Sequence, residues 1–146
     1  MRRGHLVMNP NDRETLGRGG ARQLSFHTTV QLIIMAELTR DRVPLQDAAD
    51  AALDFAHFGD ETRNPGDLFP KGMTILTYDA GAKALMPKSR ILNVTNEVTF
   101  RSIFSAAQLN GPSVFRSALF LDVGGLLLLA ARPLGMSDDW IRATWE

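Results

Sequence analysis

The sequence predicts an α+β protein: a helical unit first, then a small antiparallel sheet with a C-terminal apolar helix. Three observations carry this. Apolar residues recur at spacings of three and four between residues 26 and 56, the helical period. From residue 73 onward, stretches rich in Val, Ile, Thr and Tyr replace that period. Between the two lies a break, residues 59–70, holding Gly59, Pro65, Gly66 and Pro70. The expected organisation is a unit over 1–58, a linker over 59–70, and an oligomerisation or sensing region over 71–146. At 146 residues the chain has room for one domain or two very small ones.

Residues 1–8 read as a short strand or the end of a helix. Residues 9–24 form a polar stretch punctuated by Asn9-Pro10, Gly17, Gly19 and Gly20, and read as a long β-turn or wing-like loop. A helix is expected over 27–40. Ser25 or Thr28 can cap it, and Phe26, Val30, Ile33, Ile34 and Leu38 make its core-facing stripe. Asp41-Arg42-Val43 ends it.

Pro44 suits the first turn of a second helix, because its missing amide hydrogen costs nothing there. Leu45, Ala48, Ala49, Ala52, Leu53 and Ala56 form the apolar side of that helix. Asp47, Asp50 and Asp54 line the solvent side, and Gly59 is the expected stop. Its alanine-rich face lets another helix approach closely.

Met73–Tyr78 is a strand, and Asp79–Ala82 can close a hairpin onto Lys83–Met86. Ile91–Phe100 and Val114–Val123 have strand composition; Arg101–Leu109 is a short helix or an irregular loop. Gly124-Gly125 leads into a helix over 126–132, ended by Pro133. Leu126, Leu127, Leu128 and Leu129 make that helix apolar all round, so it must be buried, either in the sheet's core or in a homodimer interface that Trp140 helps to cap. A shared role is favoured.

Charge is balanced at 16 basic and 16 acidic residues, but it is segregated. Residues 1–42 hold Arg2, Arg3, Arg13, Arg18, Arg22, Arg40 and Arg42 against Asp12, Glu14, Glu37 and Asp41, a net of +3. Residues 43–67 hold six acids against Arg63 alone, a net of −5. Arginine suits bidentate phosphate contact and the reading of a guanine edge. Overall neutrality speaks against a uniformly basic nucleic-acid binder. The absence of cysteine excludes disulfides, thiolate metal sites and Cys nucleophiles.

Gly17-Arg18-Gly19-Gly20-Ala21-Arg22-Gln23-Leu24-Ser25-Phe26, then Val30–Leu38, then Asp41–Ala49, together carry a resemblance. The stretch resembles the second half of the DNA-binding domain of mercury-resistance (MerR)-type regulators. In that family a Gly/Arg wing ends in an Arg-x-aromatic or Arg-x-x-aromatic step, followed by a Leu-x-x-Ile-x-x-Leu helix and a Ser-Leu-x-x-Ile helix. The match covers roughly 50 residues at medium specificity. Arg2 to Val7 resemble the end of that family's recognition helix and its first wing strand. The N-terminal helix-turn-helix is missing, and so is the long dimerisation helix. The resemblance therefore implies a truncated winged-helix-like unit.

It further implies a DNA-binding transcriptional regulator, acting as a homodimer on double-stranded DNA. Arg2, Arg3, His5, Arg13, Arg18 and Arg22 would be the contacts. Glycines let the backbone approach phosphates, and the arginines meet phosphates or enter a narrow minor groove. The alternative is a dimeric protein-interaction module without DNA affinity of its own. No effector class follows.

Nothing in the sequence calls for an enzyme, a cofactor or a metal. His5, His27 and His57 match no metal spacing and each stands alone. The serines lack a nucleophile-elbow context, and Gly17-x-Gly19-Gly20 lacks the strand–helix frame of a dinucleotide site. The longest apolar run, Ala118–Ala131, is interrupted and too short to span a bilayer, and no signal peptide is evident. The expected location is the cytoplasm.

Overall fold

A computed structural model describes residues 24–82, 87–96 and 118–133. Among them are three helices and one three-stranded antiparallel sheet, so the protein is α+β with a C-terminal helix. The chain divides into two compact units between Asp67 and Leu68. The wing expected over 9–24 lies, but for Leu24, outside the described residues.

In the first unit, α1 spans Phe26–Arg40 and α2 spans Leu45–His57. Ser25 caps α1 by accepting a hydrogen bond from the Thr28 amide at 3.3 Å. The end of α1 is a Schellman motif. The Val43 amide donates to the Leu38 carbonyl and the Arg42 amide to the Thr39 carbonyl, each at 3.0 Å. Val43 and Leu38, both buried, supply the apolar contact that accompanies it. Arg42 holds the left-handed position at φ 66°, the place usually given to glycine. Arg42→Gly should therefore stabilise the unit by about 0.5–1 kcal/mol, measured by urea denaturation. A loss of stability would show that the Arg42 side chain contributes more than its backbone strain costs.

The α1–α2 contact is built from Val30, Ile34 and Leu38 against Ala48, Ala49, Ala52, Phe55 and Ala56. The alanines leave little side-chain bulk between the two backbones. Two expectations about this face are corrected. Phe26 and Ile33 are not buried, whereas Thr28 and Gln31 are, because the buried line runs through 28, 30, 31, 34 and 38 rather than through 26 and 33. Leu45 is exposed and Leu53 half-buried, and Phe55 with Ala51 takes the core positions.

Pro44 is the cap residue of α2, one position before its first turn. The helix stops at His57, ahead of Gly59, with Phe58 extended. The 59–67 part of the expected linker packs into the first unit, because Arg63 and Gly66 take up carbonyls at the end of α2.

The second unit is built on β1 (Met73–Asp79), flanked by β2 (Ser89–Val94) and β3 (Ala118–Asp122) in the order β2-β1-β3. β1 is antiparallel to both, with Leu76 opposite Ile91 on one side and Leu121 on the other. As the central strand it is buried from Thr74 through Tyr78 rather than on alternate residues. Gly72, at φ 94°, brings the chain into β1 so close to β2 that a Cβ there would lie 2.7 Å from the Val94 carbonyl oxygen.

The hairpin partner of β1 is Ser89–Val94, not the expected Lys83–Met86, which lies outside the described residues. The turn does begin at Asp79, whose carboxylate accepts from the Gly81 amide at 2.8 Å. α3 (Val123–Ala131) follows β3 directly. It starts three residues earlier than expected because Asp122 caps it, accepting from the Gly125 amide at 3.1 Å.

Candidate functional site

The expected DNA contacts Arg2, Arg3, His5, Arg13, Arg18 and Arg22 lie outside the described residues, as does Trp140. What is described is the end of the helical unit into which the arginine-bearing stretch runs. There the start of α1 lies beside the end of α2, and the 59–67 segment closes over both.

Two histidines that stand alone in the sequence meet at this end, which corrects that reading. The His27 and His57 rings are 5.9 Å apart between centroids and tilted by 36°. The α1–α2 hairpin accounts for it, bringing residues 30 apart in sequence to one edge. His27 Nε2 donates to the Pro65 carbonyl at 3.1 Å, since a carbonyl can only accept. His57 Nε2 lies 3.2 Å from the Oε1 of fully buried Gln31. The Gln31 amide nitrogen has no hydrogen-bond partner among the described residues. Phe26 meets the His27 ring edge-on at 5.6 Å. Gly66, at φ 77°, packs beneath both rings, where a Cβ would come within 3.0 Å of His27 and 3.2 Å of Phe26.

Arg63 organises the segment. It is 5% exposed, and its guanidinium donates to the carbonyls of Phe55, Phe58, Asn64 and Asp67 at 2.7–3.2 Å. It also sits 4.7 Å over the Phe55 ring. Burial lowers its pKa, opposed by the nearby charges of Asp60 and Asp67. Asp60 is held below the ordinary carboxylate value, first by the Thr62 hydroxyl and then by the Thr62 amide. Sequence reasoning passed over Arg63 because glycines and prolines surround it. The available signal was its isolation as the one basic residue among the six acids of 43–67.

On α2, Asp50 and Asp54 are exposed and Asp47 half-buried, so the acidic side faces solvent. No group of three His, Asp or Glu side chains among the described residues is arranged to hold a metal ion.

α3 departs from the expectation of full burial. Leu127 is 2% exposed, Leu126 and Leu128 are half-buried, and Leu129 is 65% exposed. Val123, Gly124, Leu127 and Ala131 form its inward face, leaving Leu129 on the far side. Among the described residues no helix is long and apolar enough to cross a membrane. No family model, curated protein or solved structure matches the chain.

Proposed function

We propose that the protein is a DNA-binding transcriptional regulator of mercury-resistance type, acting as a homodimer in the cytoplasm and contacting duplex DNA through its Arg/Gly stretch. The observation that carries this reading is the junction at Ser25. The arginine-rich stretch leads within three residues of Arg22 into a capped helix, and that helix packs against a second one over an alanine face. This is the order of elements that the resemblance implies. The segregation of charge supports it too, since the acids of α2 are displayed to solvent on a helix separate from the arginine-bearing stretch.

A salt titration tests the proposal. If Arg13, Arg18 and Arg22 each neutralise one phosphate, duplex affinity should fall with a log–log slope of roughly −3 per protomer. Fluorescence anisotropy with a mixed-sequence duplex measures it. Replacing all three with Gln should make the slope shallower by roughly 3. Absence of binding to any duplex at low salt would overturn the reading.

The exposed Leu129 on an otherwise apolar helix favours a second reading, a dimeric protein-interaction module without DNA affinity. It predicts that Leu129→Lys shifts the protein from dimer to monomer in analytical ultracentrifugation while wild type binds no duplex.

A further inference from the structure

We infer that α3 is the surface through which two copies of the chain associate, packed antiparallel about a twofold axis. The inference rests on the homodimer in the readings above and not on DNA binding. From Val123 to Ala131 the helix carries no polar side chain, and Val123, Gly124, Leu127 and Ala131 are buried on its inward face. The opposite stripe follows the helical spacing of three and four: Asp122, Gly125, Leu126, Leu129 and Arg132. Leu129 is 65% exposed, Gly125 and Leu126 are half-buried, and Asp122 and Arg132 are exposed. Arg132 keeps helical backbone angles, so it continues the stripe.

An apolar stripe by itself does not name its partner. Two features of this one do, and both point to a second copy. The first is charge. The stripe has one acid at its start, one base at its end and no charge between them. A copy laid antiparallel brings its Arg132 to Asp122 and its Asp122 to Arg132, whereas a parallel copy sets like charges together. The Asp122 carboxylate is placed for this. One oxygen accepts from the Gly125 amide at 3.1 Å, and the other lies over Gly125, 2.8 Å from where a Cβ would stand.

The second feature is shape. Setting residue 122 opposite residue 132 fixes the register, and the same register sets Leu129 opposite Gly125 of the second copy. The most exposed leucine then meets the one residue of the stripe that has no side chain, so the backbones can approach closely. Charge and shape thus select one register independently, and the antiparallel helix dipoles agree with it. In a twofold contact each pairing occurs twice. A helix of nine residues makes a small interface, so the dimer should dissociate in the micromolar range.

Sedimentation velocity of the full chain across that range tests the inference. Leu129→Lys should be monomeric throughout with an unchanged far-UV circular dichroism spectrum, because Leu129 faces solvent. Asp122→Asn keeps the cap and removes the charge; Arg132→Gln removes the opposite charge. Each should weaken association roughly fivefold, since each breaks both copies of a surface ion pair. The double variant should lose no more than either alone. The chain has no cysteine, so a single introduced thiol reports the register. The centre of the register is residue 127. Leu126 therefore lies about 3 Å along the axis from its own copy, and Arg132 about 15 Å. Leu126→Cys should form a disulfide-linked dimer on mild oxidation, and Arg132→Cys should not.

A dimer that persists in Leu129→Lys would overturn the inference and leave the homodimer standing on another surface. Additive losses in the two charge variants would overturn it as well, as would cross-linking by Arg132→Cys or its absence in Leu126→Cys, each of which excludes the antiparallel register. A wild type that stays monomeric would overturn both the inference and the homodimer, whereas duplex binding is read separately by the salt titration.

Discussion

Replacing Arg63 with Met should cost the first unit about 2–4 kcal/mol, the largest loss expected from any side chain in the 59–67 segment. Four carbonyls lose their charged donor. The Phe55 carbonyl keeps the Gly66 amide, so it is not stranded. The others must find water or go unpaired, and a buried carbonyl left unpaired costs about 1–3 kcal/mol. Met still covers Phe55 and removes the cost of burying a charge, which brings the total below the plain sum. Far-UV circular dichroism in urea measures the change, since α1 and α2 supply most of the described helix. Arg63→Lys should fall between wild type and Arg63→Met, because a point charge cannot reach four carbonyls at once. A change below about 0.5 kcal/mol for Arg63→Met would mean that water replaces the guanidinium without loss.

Leu76→Ala should cost the second unit about 3 kcal/mol, within the 2–5 kcal/mol found for buried Leu→Ala changes. Leu76 is fully buried at the middle of the central strand, and its neighbours in register are Ile91 and Leu121. Among the described residues, Leu76 lies on the strand that pairs with both others and packs against α3, so its truncation removes apolar contact at the centre of the sheet. Since whole domains are stable by only about 5–15 kcal/mol, the variant should show visible unfolding at moderate temperature. Tyr78, the chain's one tyrosine, is buried on β1, so tyrosine fluorescence reports this unit. Met73→Ala on the same strand is the control: Met73 is 47% exposed, and its loss should cost under about 0.5 kcal/mol. Equal losses for the two variants would contradict the central placement of β1.

The helices were legible because their signals are local. A serine cap before a run at spacings of three and four, and a proline before an alanine-rich run, placed α1 and α2 within a residue of where they lie. The stop of α2 was legible too, since the helix ends at His57 with Phe58 as its cap, directly before Gly59. What was not legible is that Arg63, eight residues beyond Phe55, folds back onto the carbonyls at that end, which is a tertiary event. The partner of β1 was missed for a related reason. Turn residues at 79–82 identify where a hairpin begins, but register is set by which side chains the sheet can bury. The start of α3 was missed because two glycines read as a break, whereas Asp122 caps the helix through one of them.

The candidate site divides the same way. The histidines look isolated at 27 and 57, and only the α1–α2 hairpin brings their rings together. Arg63 reads as one charge in a loop, and only closure of the 59–67 segment makes it a buried fourfold donor.

By itself the sequence determined the α+β class, both helices of the first unit, the central strand, and the segregation of arginine from acid along the chain. These follow from period, composition and capping, all of which act over a few residues. The tertiary structure alone decided the strand order β2-β1-β3, the pairing of His27 with His57, the burial of Arg63 and the exposure of Leu129. Each of these depends on which distant surfaces meet, and therefore on the burial and hydrogen bonding of residues far apart in the chain.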